Sequence, residues 1–333
     1  MQQNKPKMKA MWETVNKGWY IALIALLAIA LSACGKTEKA PDGSKVIAVY
    51  KGGVVSEQEF TKFVNVDKYF NELFHSYYEQ IDPEAFREQL LRSYISFKIL
   101  GGRADAETVS ATEKDVSERM EEFRQELESD EEAKEYWEAK SAELGITLDD
   151  VKQYVLVQAG ALNYVTSQVS DEKVKELYDQ ELKADPHAFT LATVRHVLVA
   201  FEPDEGEKRT NEKALAIAKE IKQILESGQD FAEVAQKYSD DGGSKNNGGK
   251  YESVPVSNWE EPFKEAAVTL PIGKISDPVE TVYGYHIIKV EERKEQTFEE
   301  LREELEQVLM DEIYMNFVNQ ELDGLIEKID LPA

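Results

Sequence analysis

Val194-Arg195-His196-Val197-Leu198-Val199 and Tyr283-Gly284-Tyr285-His286-Ile287-Ile288-Lys289-Val290 each set a histidine among β-branched and aliphatic residues. That is the composition of a strand. The two runs hold two of the chain's four histidines. Paired centrally in one sheet, they bring the imidazoles together inside one small domain. The loop Ser239-Asp240-Asp241-Gly242-Gly243-Ser244 lies between them.

Working outward, the block reads as strand 192–200, acidic loop 201–209, helix 210–227, helix 230–238, glycine loop 239–250, segment 251–258, helix 260–268, the turn Leu270-Pro271-Ile272-Gly273, and strand 282–291. Helix 210–227 offers Leu215, Ile217, Ala218, Ile221 and Leu225 to a sheet, with Gly228 as its stop signal. Asp230 caps the next helix, whose apolar face is Phe231, Val234, Ala235 and Tyr238.

The 333 residues suffice for two or three domains. With 39 Lys+Arg against 65 Asp+Glu, the formal net charge is −26. Such a surface argues against nucleic acid as a partner, because phosphate binding needs clustered cations. The 42% hydrophobic share is that of a globular chain.

The N-terminus reads as a targeting segment. Lys5, Lys7, Lys9 and Lys17 precede a nearly apolar run from Trp19 to Ala30, followed by Leu31-Ser32-Ala33-Cys34. This order is that of a secretory signal over residues 1–33. The run is shorter than the ~20 residues of a spanning helix, and an uncleaved anchor stays open as the alternative. Cys34 is the only cysteine. Its setting resembles the lipobox of bacterial lipoproteins, which implies lipidation of Cys34, cleavage before it, and anchoring on the outer membrane face. Removal of residues 1–33, with four Lys and one Glu, leaves a charge of −29. Residues 34–45 read as a polar tether.

Val46 to Val55 reads as two short strands around Lys51-Gly52-Gly53. Ser56-Glu57-Gln58-Glu59 has the pattern of a helix start. The chain then stays helical to about Tyr178. Phe86, Leu90, Leu91, Tyr94, Ile95 and Leu100 form one buried stripe, and Glu113 to Leu144 one long charged helix. Thr147 and Thr297 cap further helices. The last carries Leu301, Leu305, Val308, Leu309, Ile313, Phe317, Leu322 and Leu325 at helical spacing. Such a helix needs a partner, and the N-terminal helices offer apolar faces. The expected organisation is therefore residues 46–189 and 295–333 as one helical domain, with block 190–294 inserted.

The block resembles the parvulin family of peptidyl-prolyl cis/trans isomerases. The likeness is carried by Arg195-His196-Val197-Leu198-Val199, Phe231-Ala232-Glu233-Val234-Ala235, Ser239 to Ser244 and Asn247-Gly248-Gly249. It continues in Pro262-Phe263-Lys264-Glu265-Ala266, Leu270 to Ser276 and Gly284 to Val290. These motifs stand in order and at family spacing. The whole layout is similar to PrsA-type foldase lipoproteins. The resemblance implies an α+β fold with a parvulin-like α/β isomerase domain inserted in a mainly helical, chaperone-like domain.

It further implies catalytic roles for His196, Asp241, His286 and Thr281. The prolyl-ring pocket falls on Phe263, Trp259 and Tyr251, with lipidation at Cys34. Two departures stand out. Lys250-Tyr251-Glu252-Ser253-Val254 replaces the usual Asp-Leu-Gly-x-Phe, so Tyr251 takes the place of a leucine of the wall. Tyr283 stands where a small polar residue is common.

Isomerisation needs no cofactor and no metal, and two histidines with one carboxylate lack metal-site spacing. Asp240 with Asp241 is an unpromising carboxylate pair, since neighbours on a turn rarely face one target. Phosphate recognition is disfavoured, because 201–209 carries four acids against Lys208 and Arg209. The expected function is an extracytoplasmic, membrane-anchored foldase that isomerises X–Pro bonds in unfolded or partly folded secreted polypeptides. Its rival is a non-catalytic holdase whose helical cradle uses exposed Phe74, Tyr77, Tyr78 and Trp137. A solute-binding lipoprotein lacks support, since no paired α/β lobes are seen. The oligomeric state stays open, a homodimer included.

Overall fold

The computed structural model describes residues 39–204 and 206–331. Residues 1–33, expected as a signal segment, and Cys34 lie outside the described residues. The fold class is α+β, and the chain divides into two compact units. One joins residues up to 170 with those from 308, and the other spans Asp171–Gln307. This second unit is wider than block 190–294 on both sides.

In the first unit, β1 (Val46–Tyr50) lies between β2 (Gly53–Ser56) and β7 (Ile326–Ile329), antiparallel to both. The two ends of the unit therefore meet in one sheet. Residues 39–45, expected as tether, are folded. Lys39 bridges Lys45, Ala40 is buried, and Ser56 donates to Asp42.

Ser56 and Glu59 complete a capping box that starts α1 (Glu57–Phe70). α2 (Glu72–Ile81) and α3 (Pro83–Gly101) follow, and α3 buries Phe86, Leu91, Tyr94, Ile95 and Leu100. The expected single charged helix is two, α4 (Ala106–Ser129) and α5 (Glu131–Leu144). Asp130 ends one in an extended conformation, and its carboxylate caps the next. A second capping box, Thr147 with Asp150, starts α6 (Leu148–Ser167).

Further expectations fail in this unit. Trp137 is half-buried, packed edge-on against Tyr69 and Phe123 rather than displayed to solvent. The last helix runs on from Asn316 through a π-helical turn (Phe317–Glu321) and a final helical turn (Leu322–Leu325), but then becomes β7, a strand where a helical region was expected. Leu322, Leu325, Ile326 and Ile329 have helical spacing, but Ile326 pairs with Tyr50 and Ile329 with Ala48. A strand partner far away in sequence overrides the local period. Val308, one of the apolar residues at helical spacing, is exposed.

The second unit is built on an antiparallel sheet in the order β4 (Lys250–Pro255), β3 (Thr190–Ala200), β6 (Gly284–Glu295), β5 (Val279–Thr281). Alternation divides the central strands between two faces. Val197, Val199, Tyr285 and Ile287 pack on α8 (Asn211–Glu226) and α9 (Phe231–Tyr238). Ala192, Val194, Ile288 and Val290 pack on α10 (Glu261–Thr269) through Phe263, Ala266 and Ala267. Burying a side chain the size of Ile287 or Ile288 stabilises by about 1.5–3 kcal/mol. α7 (Asp171–Ala184) belongs here because Tyr178 stacks on Phe189 at 5.0 Å and donates to Gln296 O at 3.1 Å. Residues 298–307 of α11 (Phe298–Asn316) also belong to this unit.

Candidate active site

The site lies on the α10 face of the sheet, and period-two alternation puts it there. His196 follows Ala192 and Val194 on β3, while His286 precedes Ile288 and Val290 on β6. In the ladder His196 pairs with Ile288 and Leu198 with His286, so the imidazoles are diagonal neighbours. Their Nδ1 atoms are 3.1 Å apart, and both rings are buried.

The glycine loop is stitched to β3 by the backbone and by short side chains. Leu198 N–H donates to Ser239 Oγ at 3.1 Å, and Asp240 N–H to Leu198 O at 2.9 Å. Asp240 accepts from Ala200 N–H at 2.9 Å and from Arg209. Asp240 therefore holds the loop to the strand while Asp241 turns to the site. Gly249 closes the other end, where its carbonyl accepts from His196 N–H at 2.8 Å.

Asp241 Oδ2 lies 2.8 Å from His196 Nε2. It also accepts from Tyr251 Oη at 3.0 Å and from Ser244 Oγ, and Oδ1 accepts from Gly243 N–H at 3.1 Å. At the far end Thr281 Oγ1 is 2.9 Å from His286 Nε2. A carboxylate only accepts, so the pattern assigns the proton on His196 to Nε2. His196 Nδ1 then accepts from His286 Nδ1–H, and His286 Nε2 accepts from the Thr281 hydroxyl. With one proton on each ring, Thr281, His286, His196 and Asp241 form one directed chain.

Burial, then the neighbouring His196, lowers the His286 pKa to about 3, so its ring is neutral at physiological pH. The His196 hydrogen bond, against the opposing effect of burial and with Ser244 adding to it, holds the Asp241 carboxyl well below the usual carboxylate range. Burial, then the Asp241 charge, raises the Tyr251 phenol.

Phe263, placed by Pro262 in the first turn of α10, stands edge-on to both imidazoles at 5.4 and 5.2 Å. Trp259 packs on it at 5.0 Å, and the Tyr251 ring lies 5.3 Å from His196. The structure thus brings together every residue that the resemblance assigned to catalysis or to the prolyl pocket. Asp241 differs in posture from a side chain facing a substrate ring, since its oxygens are turned to His196, Tyr251, Ser244 and Gly243. Among the described residues no group of three or more His, Cys, Asp or Glu is placed to hold a metal ion.

A family model, the PPIC-type PPIase domain (rotamase), matches residues 196–292. Foldase protein PrsA of Caldanaerobacter subterraneus is 28% identical over 318 residues, covering 92% of this chain and 92% of that protein. Foldase protein PrsA 3 of Bacillus anthracis is 32% identical over 208 residues, 61% of this chain and 70% of that protein. The chain belongs to the PrsA foldase family. A crystal structure titled peptidylprolyl isomerase (PrsA) from Bacillus anthracis aligns with 73% of this chain and all of its own, at 22% identity and a TM-score of 0.38. The enzymatic class of this PrsA-family chain is peptidyl-prolyl cis/trans isomerase, carried by the PPIC-type domain.

Sequence reasoning missed one site residue of this PrsA-family chain. Ser244 is fully buried, 3.0 Å from His196 Nε2, and donates to Asp241. It stands three residues after Asp241 in the loop motif, the spacing at which a turn brings a hydroxyl back onto a carboxylate. That spacing was the available signal.

Proposed function

We propose that this foldase isomerises X–Pro bonds in secreted polypeptides at the site around His196, from an extracytoplasmic position secured by lipid on Cys34. An amide rotates over a barrier of roughly 18–20 kcal/mol. For X–Pro the isomers differ by about 0.5–1 kcal/mol, so the task is speed rather than equilibrium. A site that binds the twisted amide better than either planar form supplies it, without cofactor or covalent step.

Phe263, Trp259 and Tyr251 hold the prolyl ring and exclude water, which favours the less polarised, twisted amide. His196, His286, Thr281 and Asp241 form the floor beneath it. One observation carries this reading. The hydrogen-bonded chain from Thr281 to Asp241 runs directly under the edge-on ring of Phe263. Anchoring rests on the order of Leu31-Ser32-Ala33-Cys34. In cells, Cys34→Ser is expected to release the protein from the membrane fraction.

The test is NMR exchange on an X–Pro peptide with the chain from Gly35 and its His196→Ala and Asp241→Ala variants. Acceleration by the parent, reduced in folded variants, supports the site. A folded parent that does not accelerate exchange refutes it.

A second reading has its own support. Leu73, Tyr77 and Ile81 form an i, i+4, i+8 stripe on α2, exposed to 77%, 62% and 62%. A holdase that uses this stripe keeps its suppression of client aggregation in His196→Ala and loses it in Leu73→Ser with Tyr77→Ser.

A further inference from the structure

Tyr251 owes its place to an irregularity in the sheet. Ala192 pairs with Val254 and Val194 with Tyr251, so Glu252 and Ser253 together oppose the single residue Thr193. This is a β-bulge. Ser253 takes φ +50°, the only positive φ of a non-glycine residue among the described residues, and its N–H donates to Thr193 Oγ1 at 3.1 Å. Residues three apart on a regular strand face opposite sides. The extra residue puts Tyr251 across from Val194, two residues before His196 on the same face. A strained backbone is thus maintained beside the pocket, with the effect of aiming one side chain.

That side chain does two things. Its ring packs with Trp259 and Phe263 in the apolar cluster on the pocket side. Its hydroxyl donates to Asp241 Oδ2 at 3.0 Å. Asp241 has four donors in all. Gly243 and Ser244 lie on its own loop, and His196 is the ring that it orients. Tyr251 alone arrives from β4 and touches both the pocket and the carboxylate. The titratable groups facing Asp241 are His196 of β3, with His286 of β6 behind it, and Tyr251 of β4. The neighbouring Asp240 is engaged by Arg209 instead.

We propose that Tyr251 is a positioning residue, whose hydroxyl fixes the Asp241 carboxylate against His196 so that the pocket wall and the imidazole chain are held as one unit. The proposal rests on the reading of this site as the isomerase site. It adds that the altered Lys250–Val254 stretch provides a polar fastening at the wall rather than a defect in it.

Tyr251→Phe keeps the ring and removes the fastening. Isomerisation kinetics are to be measured against pH for the parent, Tyr251→Phe, Asp241→Ala and the double variant, with folding checked by circular dichroism. The expected result for Tyr251→Phe is a kcat lower by about three- to tenfold with KM unchanged. The acidic limb of its profile moves to higher pH, because the Asp241 carboxylate loses a donor. In the Asp241→Ala background the same substitution has no further effect, because the residue through which it acts is gone.

A Tyr251→Phe profile that overlays the parent overturns the proposal. So does a loss that persists undiminished in the double variant relative to Asp241→Ala. A second measurement does not depend on activity. The carboxyl carbon of Asp241, followed by 13C NMR, is expected to begin titrating at higher pH in Tyr251→Phe than in the parent. Unchanged titration overturns the fastening even in an active enzyme, whereas an inactive parent with a shifted titration refutes only the isomerase reading of the site.

Discussion

Two buried histidine–carboxylate pairs, one in each unit, are nearly equal in length and unlike in everything around them. His196 Nε2 lies 2.8 Å from Asp241, and His75 Nε2 on α2 lies 2.7 Å from Asp67 on α1. Asp67 also accepts from Tyr154 Oη at 2.6 Å and Asn71 Nδ2 at 3.1 Å. The His75 ring is 0% exposed and rests edge-on against Phe86. Its Nδ1 has no hydrogen-bond partner and faces Glu79 at 3.5 Å, a carboxylate held by Lys68. This pair fastens one helix to the next and ends there. In the other unit the far nitrogen continues into a second imidazole and a hydroxyl, beneath an aromatic wall. The same two residue types make a fastener in one place and one end of a chemical chain in the other. What the second ring nitrogen meets makes the difference.

Deleting each imidazole breaks the comparison most sharply. His75→Ala takes one donor from a buried carboxylate and leaves a cavity against Phe86, an expected loss of about 3–5 kcal/mol in the helical unit. Isomerase kcat/KM stays within about twofold of the parent, since the substitution touches nothing in residues 171–307. His196→Ala does the reverse. It lowers kcat/KM by at least about tenfold and costs only about 1–2 kcal/mol, because Asp241 keeps three other donors. Thermal unfolding and exchange kinetics on both variants check this. If His75→Ala lowered activity as His196→Ala does, the division into fastener and chain would be wrong.

Two glycines extend the same contrast to the backbone. Gly249 has φ +70°, and a Cβ there meets His196 O at 2.2 Å. Gly145, after α5, has φ +62° and open space around it. Gly249→Ala is expected to cost about 2–4 kcal/mol and to lower activity, since His196 is pushed from its place. Gly145→Ala bears the left-handed strain alone, about 1 kcal/mol, with activity intact. Denaturant midpoints and kcat/KM on the pair measure both. Equal losses in the two variants would show that contact with His196 adds nothing.

The isomerase unit was legible because its signals are local. Alternating Val, Leu and Ile fix which face each strand buries, and the histidines fall in phase with that alternation. β3 and β6 reach beyond the expected bounds because Thr190, Leu191 and Glu292–Glu295 continue a ladder whose partner supplies the register. β5 was not seen, since three residues carry no readable period. β7 was misread because its spacing is helical and only β1 makes it a strand. His75 passed unnoticed for the same reason as the Tyr251–Asp241 bond. Each depends on a partner on a different element, which no window of sequence contains.

Acid sharpens the comparison from the side of the candidate site. His286 is neutral in the folded unit down to about pH 3, whereas in the unfolded chain it takes up a proton near the ordinary value of 6.5. Between these values the unfolded state binds the extra proton, so stability falls as pH falls, by about 1.4 kcal/mol per unit. Above pH 6.5 the group contributes no slope. Asp241, whose titration is depressed, holds its contribution above the ordinary carboxylate range and loses it only below about pH 3.9. Urea midpoints at pH 7, 6 and 5 therefore report His286. In His286→Gln that slope should flatten, and a slope that persists would assign the acid sensitivity to another group.

The smallest expected change is the most diagnostic of how the chain is directed. Thr281→Val keeps the shape of the side chain and removes the donor to His286 Nε2. That nitrogen becomes buried and unpaired, which is the condition of Nδ1 in His75. The expected cost is about 1–2 kcal/mol, with a few-fold loss of kcat/KM. The tautomer should not change. Asp241 can only accept, which puts the His196 proton on Nε2 and leaves Nδ1 to accept from His286. The direction is set at the carboxylate end, and the hydroxyl completes a chain that it does not orient. Imidazole 15N shifts in Thr281→Val should still place the His286 proton on Nδ1. A proton on Nε2 instead would mean that the threonine sets the direction, and that Asp241 fastens a ring whose proton is governed from the opposite end.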